Sequence, residues 1–171
     1  METKKITVMP YDVKWEEDFK TLREVILRSL GNLAIRIEHI GSTSVRGMSA
    51  KPIIDMDVVI NDRKDLNDVV SSLANAGYVY EGDLGIADRE AFAYKGEAEL
   101  PEHHLYVCPE DSPELRKHTA FRDYLRTHPD AAREYSRIKE KGADLYPDDI
   151  EKYIQYKSSY IQKVYAELEL S

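Results

Sequence analysis

Across residues 15–30 the apolar side chains Trp15, Phe19, Leu22, Val25, Ile26 and Leu30 recur at three- and four-residue intervals. This period predicts an amphipathic helix stopped by Gly31. The rhythm then changes. From Ala34 to Ile40, Ile35 and Ile37 fall on one side and Arg36 and Glu38 on the other, as in a half-buried strand. A turn-rich stretch over 41–52 leads into residues 53–60, Ile-Ile-Asp-Met-Asp-Val-Val-Ile, a strongly β-forming run broken only by Asp55 and Asp57. Leu66, Val69, Val70 and Leu73 predict a second helix over 65–76, closed by Gly77. Two or three strands are expected next, with candidates at 78–81, 91–95 and 104–108, and helices at 113–127, 130–141 and 150–168, broken at His128-Pro129 and near Pro147. The pattern predicts an α/β (α+β) fold, a small mixed sheet flanked by helices. Residues 1–109 would form the core, and a helical segment over 110–171 would pack on it as one structural unit.

The chain has 171 residues, 33% of them charged and 42% hydrophobic, an ordinary composition for a single folded domain. With 24 Lys and Arg against 32 Asp and Glu, the net charge of −8 disfavours an extended nucleic-acid surface but permits a local basic pocket. No apolar run approaches the roughly 20 residues of a membrane span, and the first ten residues lack the apolar core of an export signal. A cytoplasmic protein is expected. The single Cys108 excludes an internal disulfide and is expected to be a small core residue.

The chemistry concentrates where the apolar run is interrupted. Asp55 and Asp57 are two positions apart on a strand, so they share a face, with Cα atoms about 6.5 to 7 Å apart. Burying two such carboxylates is costly unless a divalent cation lies between them, and hard oxygen donors favour Mg²⁺ or Mn²⁺. The alternative is an edge strand or a solvated face on which the acids only block aggregation.

Upstream stands Ile40-Gly41-Ser42, with twelve residues between Ser42 and Asp55. Together with Asp55-Met56-Asp57-Val58 this resembles the signature of the nucleotidyltransferase superfamily. The run from Glu38 to Val45, then Gly47, then Ala50-Lys51-Pro52-Ile53-Ile54-Asp55, more narrowly resembles the GrpB family, a nucleotidyltransferase-like family. The similarity continues through residues 103–107 and 115–126. Arg46 departs from the pattern, standing where the family usually has proline.

The resemblance implies a site and its roles. Asp55 and Asp57 would hold Mg²⁺ (or Mn²⁺). Gly41, Ser42 and Ser44 would cradle the phosphates of a nucleoside triphosphate, with His39 beside them and Lys51 and Arg46 neutralising the departing pyrophosphate. Superfamily members usually carry a third carboxylate on a later strand. Here His104 stands in that region, and Asp123 could supply an acid from the C-terminal helices. The function so implied is transfer of a nucleoside monophosphate to a hydroxyl acceptor. The alternative is a nucleotide-binding module without turnover. Two Tyr-x-x-x-Lys pairs, Tyr135 with Lys139 and Tyr153 with Lys157, resemble a dehydrogenase motif, but no Gly-x-Gly-x-x-Gly follows a strand. They are read as helix packing, with base stacking as an alternative. Ser42 sits in no Gly-x-Ser-x-Gly elbow and is not expected to be a nucleophile.

Overall fold

The computed structural model describes residues 5–170. Helix α1 (Lys14–Leu30) leads into strand β1 (Ala34–Ile40), and β2 (Ile54–Ile60) follows the Gly41 turn. Next come α2 (Leu66–Asn75), β3 (Tyr78–Gly82), β4 (Glu90–Tyr94) and β5 (His103–Pro109). Three helices complete the chain: α3 (Pro113–Thr127), α4 (Pro129–Leu145) and α5 (Ile150–Glu167). The five strands form one mixed sheet in the order β1-β2-β5-β4-β3, in which only β2 and β5 run parallel.

The period of two along β2 divides the molecule. Ile54, Met56, Val58 and Ile60 join Leu22, Ile26, Val69 and Leu73 in the main core, so α1 and α2 cover that face. On the opposite face, Val59 and Cys108 pack against Leu115 of α3. Leu125, Tyr135, Tyr160 and Val164 form a further cluster with Val45 and Met48, seating the last three helices over the turn that follows β1. Among the described residues no helix is long and apolar enough to cross a membrane.

Two local expectations shift. Ile35 does not share the buried face with Ile37, because a register break between Ala34 and Arg36 turns it outward, leaving it 45% exposed. Helix α4 runs from Pro129 to Leu145 rather than 130–141: proline is accommodated in the first turn, and Gly142 is buried within the helix. Cys108 is buried, as expected, and burial pushes its thiol up.

Candidate functional site

The sheet register fixes which side chains meet. Strand β2 lies between β1 and β5, so Asp55 and Asp57 are not on an edge. Asp55 is opposite Ile40 and His104, and Asp57 is opposite Glu38 and Tyr106. Directly paired residues share a face, and this face is the one under α3–α5.

Gly41 follows β1 at φ +73° and ψ −177°, a conformation essentially reserved for glycine. A Cβ there would lie 2.5 Å from Asp55 Oδ2. Glycine thus permits both the sharp turn and the close approach of backbone to carboxylate. The chain then makes a tight turn over Ser42–Ser44, closed by the Ser44 N–H donating to the Gly41 carbonyl at 3.1 Å.

Each aspartate is held by a histidine. His104 Nδ1 lies 2.8 Å from Asp55 Oδ1, and this hydrogen bond raises the imidazole above its ordinary value. Asp57 is completely buried; its Oδ2 lies 2.7 Å from His118 Nδ1, while its Oδ1 has no hydrogen-bond partner among the described residues. Burial pushes the Asp57 carboxyl up against the pull of His118. Burial is the largest influence on His118 and opposes its charge, but its hydrogen bond to Asp57 together with the negative charges of Asp57 and Glu114 holds this imidazole above its usual value. Glu114 Oε2 is 3.7 Å from the other ring nitrogen of His118.

Facing the aspartates is a cavity of about 440 Å³ with lysines from three parts of the chain on its wall. Lys51 precedes β2, Lys139 comes from α4 and Lys157 from α5. Lys139 is only 2% exposed; it donates to the Ser49 carbonyl and lies 4.6 Å from the Tyr135 ring centre. Lys51 and Lys157 approach the Tyr153 ring at 5.3 and 5.2 Å. Burial lowers Lys139 well below its ordinary value, and burial assisted by Lys51 lowers Lys157 to about 8. Among the described residues none of the three forms an ion pair with a carboxylate. Arg89 adds a fourth cation, 4.4 Å from the Tyr106 ring, with a buried Nε that has no hydrogen-bond partner among the described residues.

The structure therefore gathers Gly41, Ser42, Lys51, Asp55 and His104 on one cavity wall, with Asp57 sealed beneath it. The other expected site residues lie elsewhere. His39 projects with Met56 to the α1 face, stacks on Phe19 at 4.6 Å and hydrogen-bonds Thr43 Oγ1 through Nε2 at 2.9 Å. Burial lowers it to about 4. The Ser44 hydroxyl closes the turn onto the Gly41 carbonyl, and Arg46 pairs with Glu16 at 2.6 Å. Asp123 is exposed and accepts from its neighbour Arg122 at 3.0 Å, so it brings no acid into the cavity. Sequence reasoning missed His118, Arg89 and Lys139 as site residues. The two Tyr-x-x-x-Lys pairs were the visible signal for Lys139 and Lys157, because both pairs line this cavity.

The donor set suits a hard divalent cation. Among the described residues, an Asp57 oxygen without a hydrogen-bond partner and a second carboxylate on the same strand face are hard oxygen donors. Among the described residues no group of three or more acids, histidines or cysteines is arranged to hold a metal ion by itself. Such a cation would complete its shell with substrate phosphate and water, the habit of Mg²⁺.

Comparison with known proteins gives a consistent picture. The sequence profile of the family described as GrpB protein matches residues 5–167. The UPF0157 protein YqkA of Bacillus subtilis is 36% identical over 159 residues, covering 93% of this chain and 46% of that protein. The chain thus spans less than half the length of that relative. The crystal structure of the conserved protein GrpB from Enterococcus faecalis superposes with a TM-score of 0.78 at 30% identity, covering 93% of this chain and 99% of the other. The Cid1 poly(U) polymerase in its MgGTP-bound form superposes with a TM-score of 0.55 at 10% identity, over 79% of this chain and 43% of the polymerase. That likeness establishes a shared nucleotidyltransferase-like fold.

Proposed function

The chain belongs to the GrpB family, and we propose that it is a Mg²⁺-dependent nucleotidyltransferase moving a nucleoside monophosphate from an NTP to a hydroxyl acceptor. One observation carries the reading: two carboxylates on one strand face, beside a glycine turn, under a cavity lined by three lysines that among the described residues have no carboxylate partners. In a protein of net charge −8, such a local cluster of cations favours a compact polyanion over an extended one.

Asp55 and Asp57 would hold the Mg²⁺ or Mn²⁺. When bound, the metal supplies Lewis-acid neutralisation of the triphosphate. The chain's own groups do the rest. The Gly41–Ser42 backbone and the Ser42 hydroxyl receive phosphate oxygens. Lys51, Lys139 and Lys157 stabilise the negative charge that collects on pyrophosphate as its bond to the α-phosphorus breaks. The acceptor oxygen forms the new bond to that phosphorus, and its proton passes to His104 Nε2. Asp55 orients this imidazole through Nδ1, as a general base requires.

The lack of a three-residue metal cluster among the described residues favours a second reading, a nucleotide-binding module without turnover. Incubation of each α-³²P-labelled NTP with a pool of hydroxyl-bearing metabolites separates the two. Mg²⁺-dependent label transfer by the wild type, absent in Asp55→Asn, supports the transferase. Mg²⁺-dependent binding without transfer supports the module, and no binding overturns both.

A further inference from the structure

His39, Ser44 and Arg46, which the sequence pointed toward phosphate, meet instead in a second cavity behind the Gly41–Ser44 turn. Its volume is about 670 Å³, larger than that of the aspartate cavity and within the range of roughly 300–1,000 Å³ typical of small-molecule sites. Phe19, Val45, Leu125 and Ala132 give it apolar walls. Four cations stand around them, and three are neutralised locally: Arg46 by Glu16, Lys20 by Glu17 and Arg133 by Asp130. Arg126 differs. Its Nε and Nη2 both donate to the Ser44 carbonyl, at 3.0 and 2.8 Å, and among the described residues it forms no ion pair with a carboxylate. Among the described residues Arg126 is therefore the cation of this cavity not directly paired with a carboxylate, and it stands over an apolar floor. His39, lowered by burial to about 4, adds a flat neutral ring and no charge.

We infer that this cavity is an effector site for a small organic monoanion, a carboxylate on a flat apolar body, anchored by Arg126. A carboxylate is the stronger acceptor for a guanidinium, so an incoming ligand competes with the Ser44 carbonyl for Arg126. That competition reaches the aspartate site by a short path. Ser44 holds the Gly41 carbonyl through both its hydroxyl and its N–H, Gly41 lies against Asp55, and Thr43 lines both cavities. Binding behind the turn thus repositions the Gly41–Ser42 backbone in front of it.

The test uses the full chain without nucleotide, so its outcome is independent of the transferase reading. 2-Naphthoate is titrated against its neutral analogue 2-naphthamide, following the imidazole NMR signals of His39, which lines the effector cavity, and His104, which lines the other. The acid is expected to shift His39 saturably and His104 in parallel, and to bind roughly tenfold or more tightly than the amide. Arg126→Gln removes the preference for the acid. Ala132→Phe, which fills the cavity and keeps the arginine at position 126, removes binding of both compounds. Equal affinity for acid and amide, no response at His39, or unchanged binding in Ala132→Phe overturns the assignment. A His39 response with none at His104 overturns the relay.

Discussion

Substitution of Gly41 by alanine separates backbone strain from damage to the site, because Gly47 provides a matched control. Both glycines have positive φ, +73° and +81°. An added Cβ at Gly47 meets nothing within 4 Å, whereas at Gly41 it meets Asp55 Oδ2 at 2.5 Å and the Asp55 Cβ and Cγ at 3.2 Å. Strain alone costs about 1–3 kcal/mol at Gly41 and about 1–2 kcal/mol at Gly47. For a domain of this size each kcal/mol lowers Tm by about 2–4 °C, so both variants stay folded. Only Gly41→Ala also forces a displacement. The 2.5 Å contact is about 0.9 Å short of ordinary van der Waals separation, which begins near 3.4 Å. Asp55 yields that distance only by disturbing its 2.8 Å hydrogen bond to His104. A reacting group misplaced by about 1 Å costs on the order of a hundredfold. Differential scanning fluorimetry and calorimetric titration of Mg·NTP should therefore show both variants folded, with Gly41→Ala losing at least as much stability as Gly47→Ala, and an approximately hundredfold loss of nucleotide affinity or turnover in Gly41→Ala alone. Equal nucleotide affinities in the two variants would refute the placement of Asp55 in the site.

Further predictions rest on other groups in the two cavities. Lys157, facing Lys51, Lys139, Asp55 and the Tyr153 ring, loses its charge as pH rises through about 8. Nucleotide affinity should weaken above that pH in the wild type, whereas Lys157→Arg, which stays charged, should lack this alkaline limb when titrations are repeated across pH. His118→Leu leaves buried Asp57 without its imidazole and should cost about 3 kcal/mol in urea unfolding, since removing one member of a buried pair strands the other. His39 has a folded value near 4 against about 6.5 when unfolded. The unfolded chain thus binds the extra proton between these values, and stability falls as pH drops from about 6.5 to 4, by about 3 kcal/mol at most. His39→Gln should flatten that acid limb when urea midpoints are compared at neutral and acidic pH.

Strand and helix order followed from periodicity because the core is built on it: Met56 and Val58 point one way and Asp55 and Asp57 the other, as a period of two demands. The same rule explains His39. Its register partner is Met56, not an aspartate, so it projects away from the cavity, a consequence hidden until the pairing of β1 with β2 is known. Arg46 and Asp123 were diverted by nearer charges, Glu16 and Arg122, the first thirty residues away in sequence. His118 and Lys139 reach the site only because α3 and α4 pack over the aspartate face, and no local pattern encodes that docking. Repetition of Tyr-x-x-x-Lys on α4 and α5 did leave a trace, since both pairs line the same cavity. As amphipathic spacing it was indistinguishable from ordinary helix packing.

The central claim is that Asp55, Asp57 and the opposing lysines form one metal-dependent nucleotide site. Its most direct test is isothermal titration of the four NTPs into wild type and Asp57→Asn, each with Mg²⁺ and with EDTA. Saturable binding of at least one NTP to the wild type with Mg²⁺ is expected, lost with EDTA and lost in Asp57→Asn. Absence of binding for every NTP, or binding that persists unchanged in Asp57→Asn with EDTA, would contradict it.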